Sequence, residues 1–384
     1  MPLLAVVFVA FLVIGIALPV LPLHVHDGLG YGPAMVGLVT GFLFAAALAA
    51  RLWSGRMSDD KGPKRAVVTG LAAAAAAGAL YLASVAVVGT PWASVGLLLA
   101  GRAILGGAES FIITGAVAWG LARAGTQNAG KVIAWSGTAM FAAFAAGAPL
   151  GTALYAGGGF AAVAATTAVA PLATLALIAP VRGADPTHRG TASFMAVVDG
   201  IWLPGLAAAL SSIGFGALIT FSALLFSANG WQPVWLAFTA YAVALIVARL
   251  LFGHMPDRLG GARVALVCVL IEAAGLVLMG TAPTVVLAAA GAALTGFGYA
   301  LVFPGFGVEA VRRAPPERRG TAMGAYTACL DLALGVSGPA LGLVAGHAGL
   351  GAVFVASAVP VACAAAVALR LLQAPRARIH KRGS

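Results

Sequence analysis

The chain has 384 residues, of which 61% are hydrophobic and 9% are charged, and its mean hydropathy is +1.02. Because a soluble domain is typically about one-quarter charged, this composition excludes a water-soluble monomer. The net charge of +11 does not indicate a nucleic-acid partner, since the basic residues are not interleaved with aromatic side chains and no soluble domain carries them.

Twelve apolar runs follow one another along the chain. Each has roughly 20 residues, which is enough for a helix to cross the ~30 Å hydrocarbon core of a bilayer. We therefore predict an all-α membrane protein. The predicted spans are residues 3–23, 34–53, 66–88, 94–117, 132–154, 159–180, 202–226, 233–253, 263–280, 284–308, 321–345 and 350–371.

The basic residues predict the orientation of these spans. Of 22 Lys and Arg, all but Arg102 lie in alternate loops, at the adjoining helix ends or in the C-terminal tail. Such loops stay on the cytoplasmic side during insertion, so we expect both termini to be cytoplasmic in a multi-pass protein of the bacterial inner membrane. The predicted domains are an N-terminal bundle at 1–181, a cytoplasmic linker at 182–201, a C-terminal bundle at 202–372 and a basic tail at 373–384.

A motif near the end of span 2 recurs 198 positions later, which indicates a duplicated membrane-embedded half. It has the form Arg-x-x-x-Gly-x-Met-x-Asp-x-x-Gly. The first copy is Arg51, Gly55, Met57, Asp59 and Gly62, and the second is Arg249, Gly253, Met255, Asp257 and Gly260.

A second alignment of the halves, offset by 190, shows where they differ. It places Arg102 and Glu109 of span 4 over Ala292 and Tyr299 of span 10. The intramembrane charges of span 4 are therefore not a scaffold feature repeated by ancestry.

The first copy of the motif resembles the loop between spans 2 and 3 of major facilitator superfamily transporters. The residues that carry this resemblance are Gly55, Met57, Ser58, Asp59, Gly62, Lys64 and Arg65. With twelve spans and a central linker, it covers essentially the whole chain and implies a major facilitator fold, in which two pseudo-symmetric bundles have six helices each. The segments Pro22–Gly32 and Gly305–Gly324 resemble the YfcJ/YhhS-type branch of bacterial exporters. Asp60 and Pro63 depart from the basic residues usual in the family loop.

The resemblance implies that Asp59 docks near the start of span 11, around Gly320 and Thr321, and holds the outward-facing state. An aspartate can accept from the exposed N–H groups at a helix N-terminus. A purely structural turn is the alternative. The predicted gating residues are Arg51, Gly55, Asp59, Gly62, Lys64, Arg65, Asp257, Gly260, Arg319 and Gly320.

Four charged residues fall inside predicted spans, namely Arg102, Glu109, Glu272 and Asp331. Each costs about 2.5–3.5 kcal/mol on insertion scales and is a functional candidate for that reason. Arg102 and Glu109 lie two helical turns, ~10 Å, apart on one face. The sequence around Arg102 resembles the family's span 4 motif, which implies a role in proton coupling for Arg102. Glu109 is a candidate proton-exchange site because an apolar surround favours the neutral carboxyl. Asp331 is a candidate second proton site or a partner for a polar substrate group. A static ion pair in span 4 and a structural hydrogen bond at Asp331 are the alternatives. For Glu272 we expect a supporting role.

The resemblance also implies that spans 1, 4, 7 and 10 line a central cavity. From placement we expect substrate contacts at Phe111, Ser211, Ser212, Thr220, Tyr299 and Tyr326. Helix bends are predicted at Gly147, Pro149 and Gly151 and again at Gly338 and Pro339, because proline removes a backbone donor and glycine permits close crossing. The first group resembles a weakened antiporter motif, which favours export.

Three further patterns carry less weight. His24, His26 and Asp27 form either an external pH sensor or a wet polar loop. The three cysteines have no metal-binding or disulfide spacing. The segment Gly125–Lys131 is not a phosphate loop, because Val132 stands where Ser or Thr is required. We expect no metal and no cofactor, with the proton gradient as the energy source.

The expected function is that of a secondary transporter, which exports a small organic molecule in exchange for protons by alternating access. One alternative is a symporter or facilitator for uptake of a small anionic metabolite, with Arg102 capturing the anion. Another is a membrane sensor that transports nothing. An enzyme is not expected, since no nucleophile has an adjacent base. The expected partners are substrate, protons and lipid, and we expect a monomer.

Overall fold

The computed structural model describes residues 2–125, 129–186, 195–314 and 319–373, and in these ranges the regular structure is helical. The helices of the first half are α1 (Pro2–Ala17), α2 (Val20–Leu23) with a π-helical turn at His24–Gly28, α3 (Pro33–Lys61), α4 (Pro63–Ala86), α5 (Pro91–Ala124) and α6 (Ala129–Ile178). Those of the second half are α7 (Met195–Ala228), α8 (Leu236–Phe252), α9 (Met255–Leu259), α10 (Gly261–Gly280), α11 (Val285–Arg313), α12 (Arg319–Ala348) and α13 (Leu350–Gln373).

Ten helical segments of the described chain are long and apolar enough to cross a membrane. One of them, within α6, contains two crossings, because Gly158 and Gly159 leave the helical conformation between the predicted spans 5 and 6. The shorter apolar helix α8 supplies the remaining crossing. The twelve predicted spans are therefore present, and the described residues form an all-helical fold.

Each half packs in the same way. In the first half, α5 lies against α3 and α4, and α6 lies against α1 and α4. In the second, α11 lies against α8 and α10, and α13 lies against α7 and α10. The main contacts between the halves are the pairs α3 with α12 and α6 with α8, which are equivalent under the duplication. The two interfaces therefore started from one ancestral arrangement.

The two copies of the repeated motif fold differently at one point. The first copy stays helical from Arg51 to the end of α3 at Lys61, well beyond the predicted end of span 2, whereas the second breaks between α8 and α9. Pro256 stands in the second copy where the first has Ser58. Proline lacks the amide hydrogen and clashes with the carbonyl four residues earlier, so it interrupts the helix there.

Both copies end on a glycine with a left-handed backbone. Gly62 has φ of 89° and Gly260 has φ of 94°, and each directly precedes the next transmembrane helix. An L-residue with a side chain is strained at such values, which explains why the last motif position is glycine in both copies. The two glycines therefore form the tight turns that join the repeated motif to the next helix.

Helices α3 and α12 approach closely through glycine. Gly37 faces Gly338, and a Cβ on either would overlap the carbonyl of the other. One turn further along, a Cβ on Gly41 would lie 2.8 Å from the carbonyl oxygen of Gly335. Small residues let helix backbones meet in this way in lipid, where packing replaces the hydrophobic effect as the driving force.

We predict that Gly338→Val forces α3 and α12 apart at this contact. The valine side chain has no room beside Gly37, so the two helices should separate there. In a background without native cysteines, a single cysteine introduced at Met35 on α3 should then be more accessible and react several-fold faster with a bulky maleimide. Gly346→Val in the same helix is the matched control, since a Cβ there meets nothing within 4 Å. Equal labelling rates in the two variants would contradict the close contact.

Candidate functional site

An ion pair joins the two halves. The Nε of Arg51 on α3 donates to Oδ2 of Asp331 on α12 at 2.5 Å. The side chain of Asp331 is only 6% exposed and that of Arg51 is 28% exposed. Within the described residues, the other ion pair lies inside α11, between Arg312 and Glu309 at 3.7 Å. The contact between the halves is therefore held by a charge pair that is largely withdrawn from solvent.

Glu109 on α5 belongs to the same group of charges. Its half-buried carboxyl lies within electrostatic range of Asp331 and Arg51 and, with a smaller effect, of Arg102. We call Arg51, Glu109 and Asp331 the charge cluster. One guanidinium faces two carboxyls here, an arrangement in which a proton and the cation can alternate as the partner of a carboxyl.

Serine and threonine hydroxyls fix the register between α3 and α5 beside this cluster. The Oγ of Ser54 donates to the Arg51 carbonyl at 3.0 Å and lies 3.1 Å from Oγ of Ser110 and 3.4 Å from Oγ1 of Thr114. The buried Ser54 thereby ties the backbone of Arg51 to the helix that carries Glu109. Two members of the cluster, Arg51 and Glu109, thus belong to helices of the first half, whereas Asp331 belongs to α12 of the second.

Arg102 lies within electrostatic range of Glu109, but its hydrogen bonds go to α3. It is fully buried between α5 and α3, where Nε donates to the Val39 carbonyl at 3.1 Å and Nη2 donates to the Thr40 carbonyl at 2.9 Å. Its Nη1 has no hydrogen-bond partner among the described residues. The sequence grouped Arg102 with the carboxyls and Arg51 with the gating loop, whereas the structure pairs Arg51 with Asp331.

The equivalent interface between α6 and α8 carries a different group. Arg249, the repeat counterpart of Arg51, lies over the ring of Phe141 with its guanidinium carbon 4.8 Å from the centroid. Phe215 stacks on Tyr241 and on Tyr299, with centroids 5.6 Å apart in each pair. We call Phe141, Phe215, Tyr241, Arg249 and Tyr299 the aromatic cluster. Of these five residues, only Tyr299 is a substrate contact predicted from the sequence. The correspondence of Arg249 to Arg51 in the repeat is the sequence feature that could have identified the others.

Most of the predicted substrate contacts bond within the second half. Ser211 donates to Oε2 of Glu272 at 2.5 Å, while Ser212 donates to the Ala208 carbonyl and lies 3.1 Å from the Tyr299 hydroxyl. Tyr326 donates to the Phe303 carbonyl at 2.7 Å. Glu272 is fully buried and its Oε1 has no partner among the described residues. Thr220 is also buried, and Phe111 is half-buried on α5.

Some of the predicted gating residues lie in the turn after Gly62, and others lie on the exposed surface of the protein. Lys64 donates to the carbonyls of Ala179 and Val181 at 2.8 Å each, which ties the turn after Gly62 to the end of α6. A pocket of about 370 Å³ lies beside it, lined by Lys61, Gly62, Lys64, Arg65, Val68, Gly183 and Ala184. Asp59 is half-buried, Gly55 has open space around it, and Asp257 is exposed in the first turn of α9. The side chains of Arg319, Gly320 and Thr321 lie outside the described residues, so the docking of Asp59 there stays a prediction.

The predicted bend residues mediate two kinds of crossing. Gly147 and Gly151 of α6 pack against Gly15 and Ile16 of α1, inside the first half. Gly338 packs between the halves, as described above, and Pro149 and Pro339 lie within their helices.

Of the outer polar residues, His24 is buried and stacks on Phe160 with centroids 4.1 Å apart. A wet loop is therefore wrong for His24, because the first span continues as helix through Gly28. His26 is exposed, with Nδ1 2.8 Å from the Tyr31 carbonyl.

We predict a measurable coupling between Arg51 and Asp331. Arg51→Gln and Asp331→Asn should each destabilise the protein by about 1–3 kcal/mol, since each leaves a mostly buried charge without its partner. The double variant should lose clearly less than the sum of the two. The measurement is a double-mutant cycle by reversible unfolding in mixed micelles. The control cycle, Arg312→Gln with Glu309→Gln, involves an arginine 55% exposed and should give a coupling below about 0.5 kcal/mol. Additive effects at Arg51 and Asp331 would show that the pair contributes no stability.

Comparison with known proteins places this arrangement in context. The sequence model of the Major Facilitator Superfamily matches residues 3–237 and 204–384. An MFS-type transporter of Burkholderia mallei strain SAVP1 is 42% identical over 373 residues, 95% of this chain and 90% of the relative. An MFS-type transporter of Salmonella typhimurium strain LT2 is 41% identical over 369 residues, 96% of this chain and 95% of the relative. The crystal structure of a D-xylose-proton symporter has a TM-score of 0.79 at 15% identity and covers 98% of each chain. That structural likeness concerns the fold alone.

Proposed function

The chain belongs to the major facilitator superfamily and is a multi-pass secondary transporter rather than an enzyme, and from that premise we propose that it exports a small organic molecule in exchange for protons. The charge cluster carries this proposal, because two carboxyls share one guanidinium at the contact between the halves. The proton gradient supplies the energy, and substrate, protons and lipid are the partners of a monomer in the bacterial inner membrane.

The orientation follows from the basic loops. Because successive helices alternate in direction, the turns after α3 and α8, the start of α1 and the end of α13 lie at one end of the molecule. In the sequence, almost all Lys and Arg belong to the segments at this end or follow them directly. By the positive-inside rule this end faces the cytoplasm. The predicted linker at 182–201 and the predicted boundaries of the two bundles agree with this orientation and remain part of the proposal.

The contact between α3 and α12 runs from the outer end of these helices to the ion pair. The glycine contacts between α3 and α12 begin at the outer end, where Gly342 meets Pro33 and Ala34. They continue through Gly338 and Gly335 to the ion pair of Asp331 with Arg51. The halves thus close against each other on the outer side, and in the proposed mechanism they change access by rocking about this contact.

Proton exchange at the charge cluster links this contact to the gradient. Asp331 without a proton attracts Arg51 and holds α12 against α3. A proton on Asp331 or Glu109 weakens that attraction and frees the guanidinium to change partner. The intact pair corresponds to a site without a proton on Asp331. Substrate then binds from the inside, and proton and substrate compete for the same conformational equilibrium.

Export is supported by the resemblance of Gly147, Pro149 and Gly151 to an antiporter motif and by the resemblance of two segments to the YfcJ/YhhS-type branch. Uptake by a symporter remains the second candidate, because the charge cluster couples proton movement to the contact between the halves whichever way the substrate moves. The direction of substrate movement in right-side-out vesicles under an imposed pH gradient distinguishes the two. Absence of movement of any ligand in liposomes would favour a sensor instead.

Glu109→Gln tests the coupling. With a compound selected by thermal-shift screening of the purified protein, this variant should lose pH-gradient-driven transport by at least about tenfold. It should keep exchange of labelled for unlabelled compound without a gradient, since a carboxamide resembles the protonated carboxyl. Glu309→Gln, which changes a carboxyl near the end of α11, is the control and should transport normally. Gradient-driven accumulation retained in Glu109→Gln would remove Glu109 from the mechanism.

Asp59→Asn tests the gate. A carboxylate at a helix N-terminus stabilises it by about 0.3–1 kcal/mol, so the change should alter the transport rate roughly two- to fivefold with the fold intact. Asp60→Asn alters the adjacent exposed carboxylate and should leave the rate unchanged. Identical rates for the two variants and the unmodified protein would leave Asp59 as a structural turn residue.

A further inference from the structure

The aromatic cluster contains a cation that is not neutralised by a neighbouring carboxylate. Arg249 donates from Nε to the Ala300 carbonyl at 3.1 Å and rests on Phe141, and no acidic side chain of the described residues comes within 4.0 Å of it. Its side chain is half-buried in the contact between α6 and α8. A guanidinium withdrawn from water in this way favours a strong anionic acceptor, which the protein itself does not supply here.

The duplication shows what has changed at this position. Arg249 corresponds to Arg51, and the offset of 190 that aligns Pro149 with Pro339 places Phe141 over Asp331. The same offset places Glu109 over Tyr299. Both interfaces therefore keep the arginine, while two carboxyls in one are replaced by two aromatic rings in the other. The second interface has retained a cation and lost the carboxyls that correspond to those of the first.

A second donor near Arg249 also lacks an acceptor. The hydroxyl of Tyr241 is buried and has no hydrogen-bond partner among the described residues. It precedes Arg249 by eight residues on α8, about 12 Å along the axis. The long arginine side chain leans back toward the helix N-terminus, and both tyrosines of the cluster lie within its electrostatic range. A phenol hydroxyl and a guanidinium, both free to donate, match a carboxylate.

We propose that the aromatic cluster is the substrate site and that it takes organic anions with a flat or apolar body. This inference rests on the proposed transport function and specifies its substrate class. The carboxylate pairs with Arg249 and accepts from Tyr241, and the body packs against Phe215 and Tyr299. Stacked and edge-on aromatic contacts favour a flat apolar group over a polyhydroxylated one.

Phe141 connects occupancy of this site to the conformational change. It lies on α6 in the first half and covers the guanidinium of Arg249 in the second. A ring face attracts a cation far more weakly than a carboxylate does. An anion that reaches Arg249 therefore displaces Phe141 and loosens the α6 and α8 contact. The charge cluster meanwhile controls the α3 and α12 contact, so the two duplicated interfaces divide proton and substrate between them.

The test compares three probes of equal shape and different charge on the full chain in nanodiscs, by isothermal titration calorimetry. The probes are 2-naphthoate, 2-naphthamide and 2-naphthylmethylamine. We expect saturable binding of the carboxylate, at least about tenfold weaker binding of the amide, and weaker binding still of the amine. Equal affinity for the amine and the carboxylate would overturn the proposal.

Variants then locate the site. Arg249→Gln should weaken 2-naphthoate binding at least about tenfold, and Tyr241→Phe about threefold to tenfold. Phe141→Asp should abolish it, because the new carboxylate gives Arg249 the partner that Asp331 gives Arg51. Arg370→Gln, which removes an exposed cation of α13, should bind normally. Unchanged affinity in Arg249→Gln would overturn the assignment, and the melting temperature of each variant shows whether it is folded.

Binding and transport separate the two proposals. Binding of 2-naphthoate that depends on Arg249, without its movement across proteoliposomes, would contradict the transport function and leave the anion site standing. Proton-driven transport of a neutral or cationic compound that Arg249→Gln does not affect would contradict the anion site and leave the transport function standing.

Discussion

The contact between Arg51 and Asp331 is the constraint on which the rest of the arrangement depends. A charge inside a membrane protein must be paired, hydrated or neutralised by a proton, because leaving it bare in an apolar surround is too unfavourable. Asp331 is 6% exposed and belongs to one half, and its cation belongs to the other. Separating the halves at this point therefore requires a proton, a new partner or water for the carboxyl. In the proposed mechanism, that requirement lets a proton gradient act on the position of the helices.

Glycine makes the movement feasible. A contact built from interlocking large side chains has few alternative arrangements. The α3 and α12 contact is built from glycines, which have no side chains that would have to rearrange when the backbones move apart; they are Gly37, Gly41, Gly335 and Gly338. The backbones are then held chiefly by dispersion contacts and by the ion pair at the inner end of the contact. The Arg51–Asp331 pair thus supplies the part of the interface energy that depends on the protonation of a carboxyl. The glycines, which do not titrate, determine the shape of the interface.

The duplication explains why two interfaces exist, and its divergence explains why they differ. An ancestral half gave both interfaces an arginine at the same depth, Arg51 in one and Arg249 in the other. A carboxylate opposite the arginine makes a strong, proton-sensitive link, and a phenylalanine makes a weak one that an anion can replace. If the proposed roles hold, a symmetric scaffold with a few asymmetric side chains binds two unlike partners, a proton and an anion, in one fold.

The sequence by itself determined the number of crossings, the duplication, the all-helical class and the turn glycines at 62 and 260, because these depend on local properties: hydropathy over some 20 residues and the backbone freedom of one residue. It also identified Glu109 and Asp331 as charges needing an explanation. Only the tertiary structure decided which cation accompanies them. Arg102 is the basic residue nearest to Glu109 in sequence, yet it points into the first half and bonds to Val39 and Thr40. Arg51 reaches Asp331 across 280 positions of chain, and no spacing rule spans that distance, since the pairing is set by how the two halves pack.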